Sequence, residues 1–241
     1  MALDSASSKI KLVALIETLR DLVFPPVCAN CRKVGKQICS ECHQQIQWVK
    51  KPICSCCGRL VVSDQIVICD ACMKRPPPLK QIRAATIFAE PISTIIHKMK
   101  YQGAFGLSRV LAELMVSAWN EWKIPVDMVA PIPLHPDREK KRGYNQSALL
   151  GRWFSQQSRL VYVPDLLKRT RFTIPQVGLS AEERAKNVQG AFAVDGYQLI
   201  GKHVLLVDDV CTTGSTLAAA AQVVLETGAA AVSGYCLARA M

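Results

Sequence analysis

The chain has 241 residues, half of them hydrophobic, and a formal net charge of +11. That length fits one sizeable domain with a real core plus a small module, and no stretch approaches the ~18 consecutive apolar residues that a membrane-spanning helix needs. The positive charge suits nucleic acid or phosphorylated ligands as well as plain solubility, and it is uneven: residues 1–103 hold 15 Lys and Arg against 7 Asp and Glu.

In residues 1–24 the longest apolar run, Leu12 to Ile16, is ended by Glu17, and no small-residue cleavage site follows. This predicts an amphipathic helix packing on the body rather than a signal peptide, and a cytoplasmic protein. Residues 25–75 carry eight of the 11 cysteines as four C-x-x-C pairs: Cys28/Cys31, Cys39/Cys42, Cys54/Cys57 and Cys69/Cys72. A two-residue spacer lets both sulfurs of a tight knuckle face one metal, and two knuckles complete a tetrahedral zinc site. Eight ligands make two sites, with the pairs joined either in order or interleaved. Cys56 is extra, since regular spacing favours Cys54 and Cys57, and His43 is a weaker substitute ligand. Disulfides need an oxidising compartment, which nothing in the sequence indicates. Closed four-thiolate zinc is structural rather than catalytic. Two such centres, each setting two metal charges against four thiolates, lower the net charge to about +7.

Lys74-Arg75-Pro76-Pro77-Pro78 reads as a stiff linker into a domain over 76–241. There, strands at 84–89, 127–132, 161–163, 204–207 and 230–237 alternate with helices at 91–100, 105–122, 145–156, 179–188 and 215–227. Such alternation predicts parallel pairing in a doubly wound α/β fold, with ligands beyond the carboxyl ends of the strands.

After the strand at 127–132 come Leu134, Arg138, Lys140, Lys141, Arg142 and Gly143. Cations and a permissive glycine at a strand end suit a pyrophosphate, although a solvated basic loop has the same composition. Residues 167–192 are polar and cationic between apolar anchors, as in a mobile lid or an ordinary surface loop. His97, His135 and His203 are isolated and read as packing or surface residues.

Residues 204–217 say most. Val204-Leu205-Leu206-Val207 deliver Asp208 and Asp209, and Thr212-Thr213-Gly214-Ser215-Thr216 then open an Ala-rich helix. Amides at a helix start, a flexible glycine and several hydroxyls suit a phosphate. Two carboxylates cannot serve the same anion; they suit sugar hydroxyls or a metal riding on them. Together they fit a ribose 5-phosphate. A buried strand, turn and helix without a ligand would explain Val204 to Val207, but not the paired Asp followed by four hydroxyl residues around one glycine.

This passage resembles the signature of the type I phosphoribosyltransferases, which bind phosphoribosyl pyrophosphate (PRPP). With the four C-x-x-C pairs, the runs 96–101 and 131–134, Arg142-Gly143-Tyr144-Asn145-Gln146, Thr173 with Gln176, Arg184 with Asn187, and Val207-Asp208-Asp209, nearly the whole chain resembles the ComF proteins. Those join a zinc-ribbon region to a phosphoribosyltransferase-like domain and are linked to natural competence. The resemblance implies a mainly parallel sheet of type I phosphoribosyltransferase type behind a small N-terminal zinc-ribbon-like module. It implies Asp208 and Asp209 at the ribose as catalytic groups, Thr212 to Thr216 around the 5-phosphate, and Leu134, Arg138, Arg142 and Gly143 at the pyrophosphate. Arg171, Gln176 and Arg184 would belong to the lid, and Mg2+ would arrive with PRPP. Purine-salvage relatives commonly carry an Asp base where this chain has Thr212, which weakens a purine acceptor and leaves the nitrogen acceptor unspecified. Three readings follow: a phosphoribosyltransferase, a non-catalytic PRPP or nucleotide sensor, and an adaptor of the DNA-uptake machinery whose knuckles and cations contact single-stranded DNA. Trp48 is the only aromatic residue of the cysteine module, which weighs against the third as a sole function.

Overall fold

The computed structural model describes residues 25–122, 124–171, 183, 187, 188 and 190–241. The helix expected over residues 1–24, most of that expected over 179–188, and Thr173, Gln176 and Arg184 lie outside the described residues. The chain divides into Met1–Gln45 and Ile46–Met241. The sequence groups all four knuckles in one module ending at residue 75; the structural division instead leaves the last two with the α/β body.

In the first unit, Val27 bridges Val34 across a tight turn, and helix α1 (Ser40–Gln44) follows with Cys39 at its N-cap. The second unit opens with the same plan. Ile53 bridges Leu60, and helix α2 (Asp70–Lys74) follows with Cys69 at its N-cap. The two ribbons are an internal repeat.

Beyond them lies a five-stranded sheet, all parallel, in the order β1-β7-β6-β2-β3. Its strands are β1 (Gln81–Ile87), β2 (Met128–Pro131), β3 (Val161–Tyr162), β6 (His203–Cys211) and β7 (Ala231–Arg239). A short antiparallel pair, β4 (Leu167–Arg169) with β5 (Phe192–Val194), lies outside it. The central strands are nearly continuously apolar because helices cover both faces. On one face, Trp119 of α4 (Leu107–Trp122), Phe154 of α6 (Gln146–Ser158) and Tyr235 of β7 meet with ring centroids 5.0–5.3 Å apart. The Tyr235 hydroxyl donates to the Met115 carbonyl at 2.6 Å, which satisfies its buried polar end. The other core cluster packs Leu217, Ala220, Ala221 and Val224 of α7 (Ser215–Glu226) with Leu206, Cys236, Leu167 and Phe192. Helix α3 (Ile92–Tyr101) buries Ile92, Ile95, Ile96 and Met99, a spacing that makes one apolar stripe.

Two details depart from the sequence reading. The motif strand runs on past Val207 to Cys211, pairing Val210 with Ala238 and Cys211 with Arg239, so both carboxylates sit within its last turns of the ladder. The basic stretch after β2 is a helix, α5 (Pro136–Arg142), capped by His135 and closed by Gly143 at φ +86°. Proline at its first turn and glycine in the left-handed conformation at its end are the expected stops for such a segment.

The chain leaves β6 towards β7 and leaves β2 in the opposite direction, towards β3. The carboxyl ends of β6 and β2 therefore flank the switch point, where an open α/β sheet presents a crevice.

Candidate functional site

Asp208 and Asp209 lie at that crevice. Asp208 Oδ1 accepts from Ser147 Oγ at 2.7 Å and from the Asp209 amide at 2.9 Å. Ser147 is in place because Asn145 caps α6: its Oδ1 accepts the Ser147 amide at 3.0 Å, while its Nδ2 donates to the Ile132 carbonyl at the end of β2. Asp209 is buried, and its Oδ1 accepts the Val210 amide at 2.7 Å. Lys100 Nζ, from the end of α3, stands 2.7 Å from Asp209 Oδ2. That contact is a charge pair, since Oδ2 has no donor in hydrogen-bonding geometry among the described residues. Burial, then the neighbouring Asp209 carboxylate, push Asp208 up to about 7 against the pull of Ser147 and Lys100. Burial opposes the charge on Lys100, but Asp209 and Asp208 outweigh it and hold the ammonium above the usual lysine value.

Downstream, Gly214 at φ +85° is the N-cap of α7 and has no side chain to occupy the helix start. Thr213 Oγ1 pairs with Ser215 Oγ at 2.7 Å and accepts the Ser215 amide at 3.3 Å. A Cβ at Gly214 would stand 3.1 Å from Ile82 Cδ1, so the turn approaches β1 as closely as a glycine permits. Half-buried hydroxyls from Thr212 to Thr216 line this turn.

The eight paired cysteines gather in order, as Cys28/Cys31/Cys39/Cys42 and Cys54/Cys57/Cys69/Cys72, with the ligand atoms of each group within 4.8 Å of one another. The interleaved alternative is excluded. Cys31 and Cys39 sulfurs are 3.5 Å apart, and those of Cys57 and Cys69 3.7 Å. Four sulfurs about 2.3 Å from a tetrahedral zinc are about 3.8 Å from one another, so both groups fit that ion. The Cys39 amide donates to Cys28 Sγ, and the Cys69 amide does the same to Cys54 Sγ. Burial disfavours both thiolates, yet backbone amides prevail and bring Cys28 and Cys54 down to about 6. Cys56 and His43 stand outside both groups.

A double zinc ribbon domain matches residues 19–78 and a phosphoribosyl transferase domain matches 160–241. The DNA utilization protein YhgH of Escherichia coli strain K12 is 34% identical over 229 residues, covering 91% of this chain and 100% of that protein. Competence protein F of Haemophilus influenzae is 33% identical over 225 residues, covering 88% and 96%. The chain belongs to the ComF family. Among solved structures, the glutamine PRPP amidotransferase of B. subtilis complexed with ADP and GMP is 20% identical, with a TM-score of 0.34 over 56% of this chain and 26% of that one.

Within this ComF-family fold, the basic residues after β2 stand on and around α5. Leu134 is half-buried in the turn that precedes it, and Gly143 ends it. The Arg142 guanidinium lies 5.5 Å from the Tyr101 ring centroid and donates to Gln146 Oε1. Burial, then the Arg142 charge, lower the Arg138 guanidinium. Tyr144 donates its hydroxyl to the Met99 carbonyl, tying this segment to α3. Of the lid residues, Arg171 is exposed and donates to the Asn187 carbonyl at 3.1 Å.

Three residues join the site without having been singled out from sequence: Lys100, Ser147 and Arg169. Arg169 ends β4 over the Phe192 ring, with burial and the Arg138 charge lowering it and Asp208 raising it. Only the 96–101 run hinted at Lys100, and nothing there distinguishes it from Lys98. The isolated histidines are packing or surface residues: His203 Nε2 meets Ser233 Oγ at 2.9 Å, His135 Nδ1 accepts the Asp137 amide, and His97 is exposed with its ring 4.8 Å from that of Tyr101.

Proposed function

We propose that this ComF-family protein binds PRPP with Mg2+ and transfers its phosphoribosyl group to a nitrogen acceptor. The observation that carries this reading is the convergence at one switch point of a carboxylate pair, a hydroxyl-lined turn opening α7, and the cations of α5 and β4. The turn 212–216 and the first amides of α7 take the 5-phosphate. Asp208 and Asp209 take the ribose hydroxyls, or the Mg2+ held against them; hard carboxylate oxygens fit that ion. Mg2+, when bound with the ligand, neutralises the departing pyrophosphate. Arg138, Arg142, Gly143 and Leu134 receive the pyrophosphate, and Arg171 belongs to the lid, whose Gln176 and Arg184 lie outside the described residues. As positive charge builds on the ribose, the acidic pair stabilises it electrostatically.

Both tetrads hold structural zinc, and the protein works in the cytoplasm. The roles for which the relatives are named extend the reading to DNA utilisation, with single-stranded DNA and uptake proteins as partners. Thr212, where purine-salvage relatives carry an acidic base, supports a second reading in which PRPP is sensed without turnover.

Calorimetry with PRPP and Mg2+ is the test. The wild-type protein should bind, and Asp208→Asn with Asp209→Asn should abolish binding while the fold is kept. Equal affinity in both would overturn either reading. A screen of bases for pyrophosphate release then separates transfer from sensing.

A further inference from the structure

The second ribbon reaches the phosphate turn by way of Ile82 of β1. Its amide donates to the Cys56 carbonyl at 2.7 Å, inside the Cys54–Cys57 knuckle. Its carbonyl lies 2.4 Å from where a Cβ of Gly58 would stand, so the knuckle can sit against β1 only with glycine there. The matching position of the first ribbon is Arg32, which is exposed and holds the same left-handed backbone at φ +66°. The Ile82 side chain, 1% exposed, then reaches the phosphate turn, its Cδ1 being the atom 3.1 Å from a Cβ at Gly214. Knuckle, strand and turn are in series: the knuckle meets β1 backbone against backbone, and the tip of the Ile82 side chain lies beside the turn.

We propose that the metal-loaded second tetrad is a positioning element of the phosphate turn: its Cys54–Cys57 knuckle fixes Ile82, and Ile82 in turn backs the turn at Gly214. Loss of that metal by chelation loosens residues 211–216 and weakens ligand binding. The first tetrad has no such role. The ligand part rests on the PRPP reading; the coupling between metal and turn does not.

The experiment uses the full chain. Cys69→Ser with Cys72→Ser is compared with the matched lesion Cys39→Ser with Cys42→Ser, by zinc content, amide hydrogen exchange of 211–216 without ligand, and calorimetry with PRPP and Mg2+. The second-tetrad lesion should raise exchange in 211–216 about tenfold and weaken PRPP by a similar factor, while the first leaves both unchanged. Equal effects of the two lesions, or loss of zinc without faster exchange, would overturn the proposal. Where the second-tetrad variant fails to fold, Ile82→Val decides: it keeps zinc and removes only the contacting methyl, and unchanged exchange in it would also overturn the proposal. If wild-type protein ignores PRPP, the functional reading fails, and the exchange comparison still decides the coupling.

Discussion

Lys100 Nζ stands 2.7 Å from Asp209 Oδ2, so the acidic pair carries its own cation from the end of α3. Two adjacent carboxylates, one buried and one partly so, repel each other, and an ammonium between helix and strand offsets that repulsion.

Removing it should therefore cost more than an ordinary surface ion pair. Lys100→Met is expected to destabilise the ligand-free protein by about 2 kcal/mol near neutral pH, because it strands Asp209 without a counter-charge. The same change should tighten Mg2+ binding, since the divalent ion no longer competes with the ammonium. Urea unfolding and a Mg2+ titration read the two effects, and an unchanged midpoint would show the pair to be energetically idle.

Asp208 gives the ligand-free protein a pH dependence. Its folded value, about 7, lies above the ordinary 3.8, so the folded state holds the proton more tightly than the unfolded chain. Stability from this group is full below that ordinary value and is lost as pH rises through about 7. Unfolding at about pH 5 and about pH 8 should show wild type losing stability relative to Asp208→Asn, whose side chain cannot ionise. Parallel curves for the two proteins would contradict the assignment.

Gly214→Ala tests the turn. The left-handed backbone at φ +85° penalises a side chain by about 1–2 kcal/mol, and the new methyl would press on Ile82 Cδ1. PRPP affinity is expected to fall about tenfold or more, with zinc content unchanged; full affinity would mean that the turn does not grip the phosphate.

The two ribbons should respond oppositely to glycine exchange at their matched positions. Arg32→Gly relieves a left-handed residue on an exposed turn and should be neutral or mildly stabilising. Gly58→Ala drives a methyl towards the Ile82 carbonyl and should destabilise the body well beyond the ~1 kcal/mol backbone term. Thermal unfolding of the two variants compares them directly.

If single-stranded DNA is a partner, the net positive charge, about +7 with both tetrads metal-loaded, must act through phosphates. Affinity for short single strands should then drop steeply between low and moderate salt. A flat salt response would dismiss electrostatic binding by the zinc-ribbon and basic segments.

The sequence by itself determined what local spacing encodes. C-x-x-C knuckles, a continuously apolar strand ending in paired carboxylates, a hydroxyl-rich turn around one glycine, and alternating strands and helices are each written within a dozen or so residues, where backbone geometry dictates the outcome. Tertiary structure alone decided which knuckles gather into one tetrad, how far β6 runs beyond Asp209, and which side chains meet the acidic pair. Lys98 and Lys100 look alike in the sequence, but a helix aims residues two apart in different directions, and only the packing of α3 turned Lys100 onto Asp209. The same holds for Arg32 and Gly58, equivalent in their turns and distinguished only by the strand that lies against one of them. Contacts between segments distant along the chain depend on how whole elements pack, and no local pattern records that.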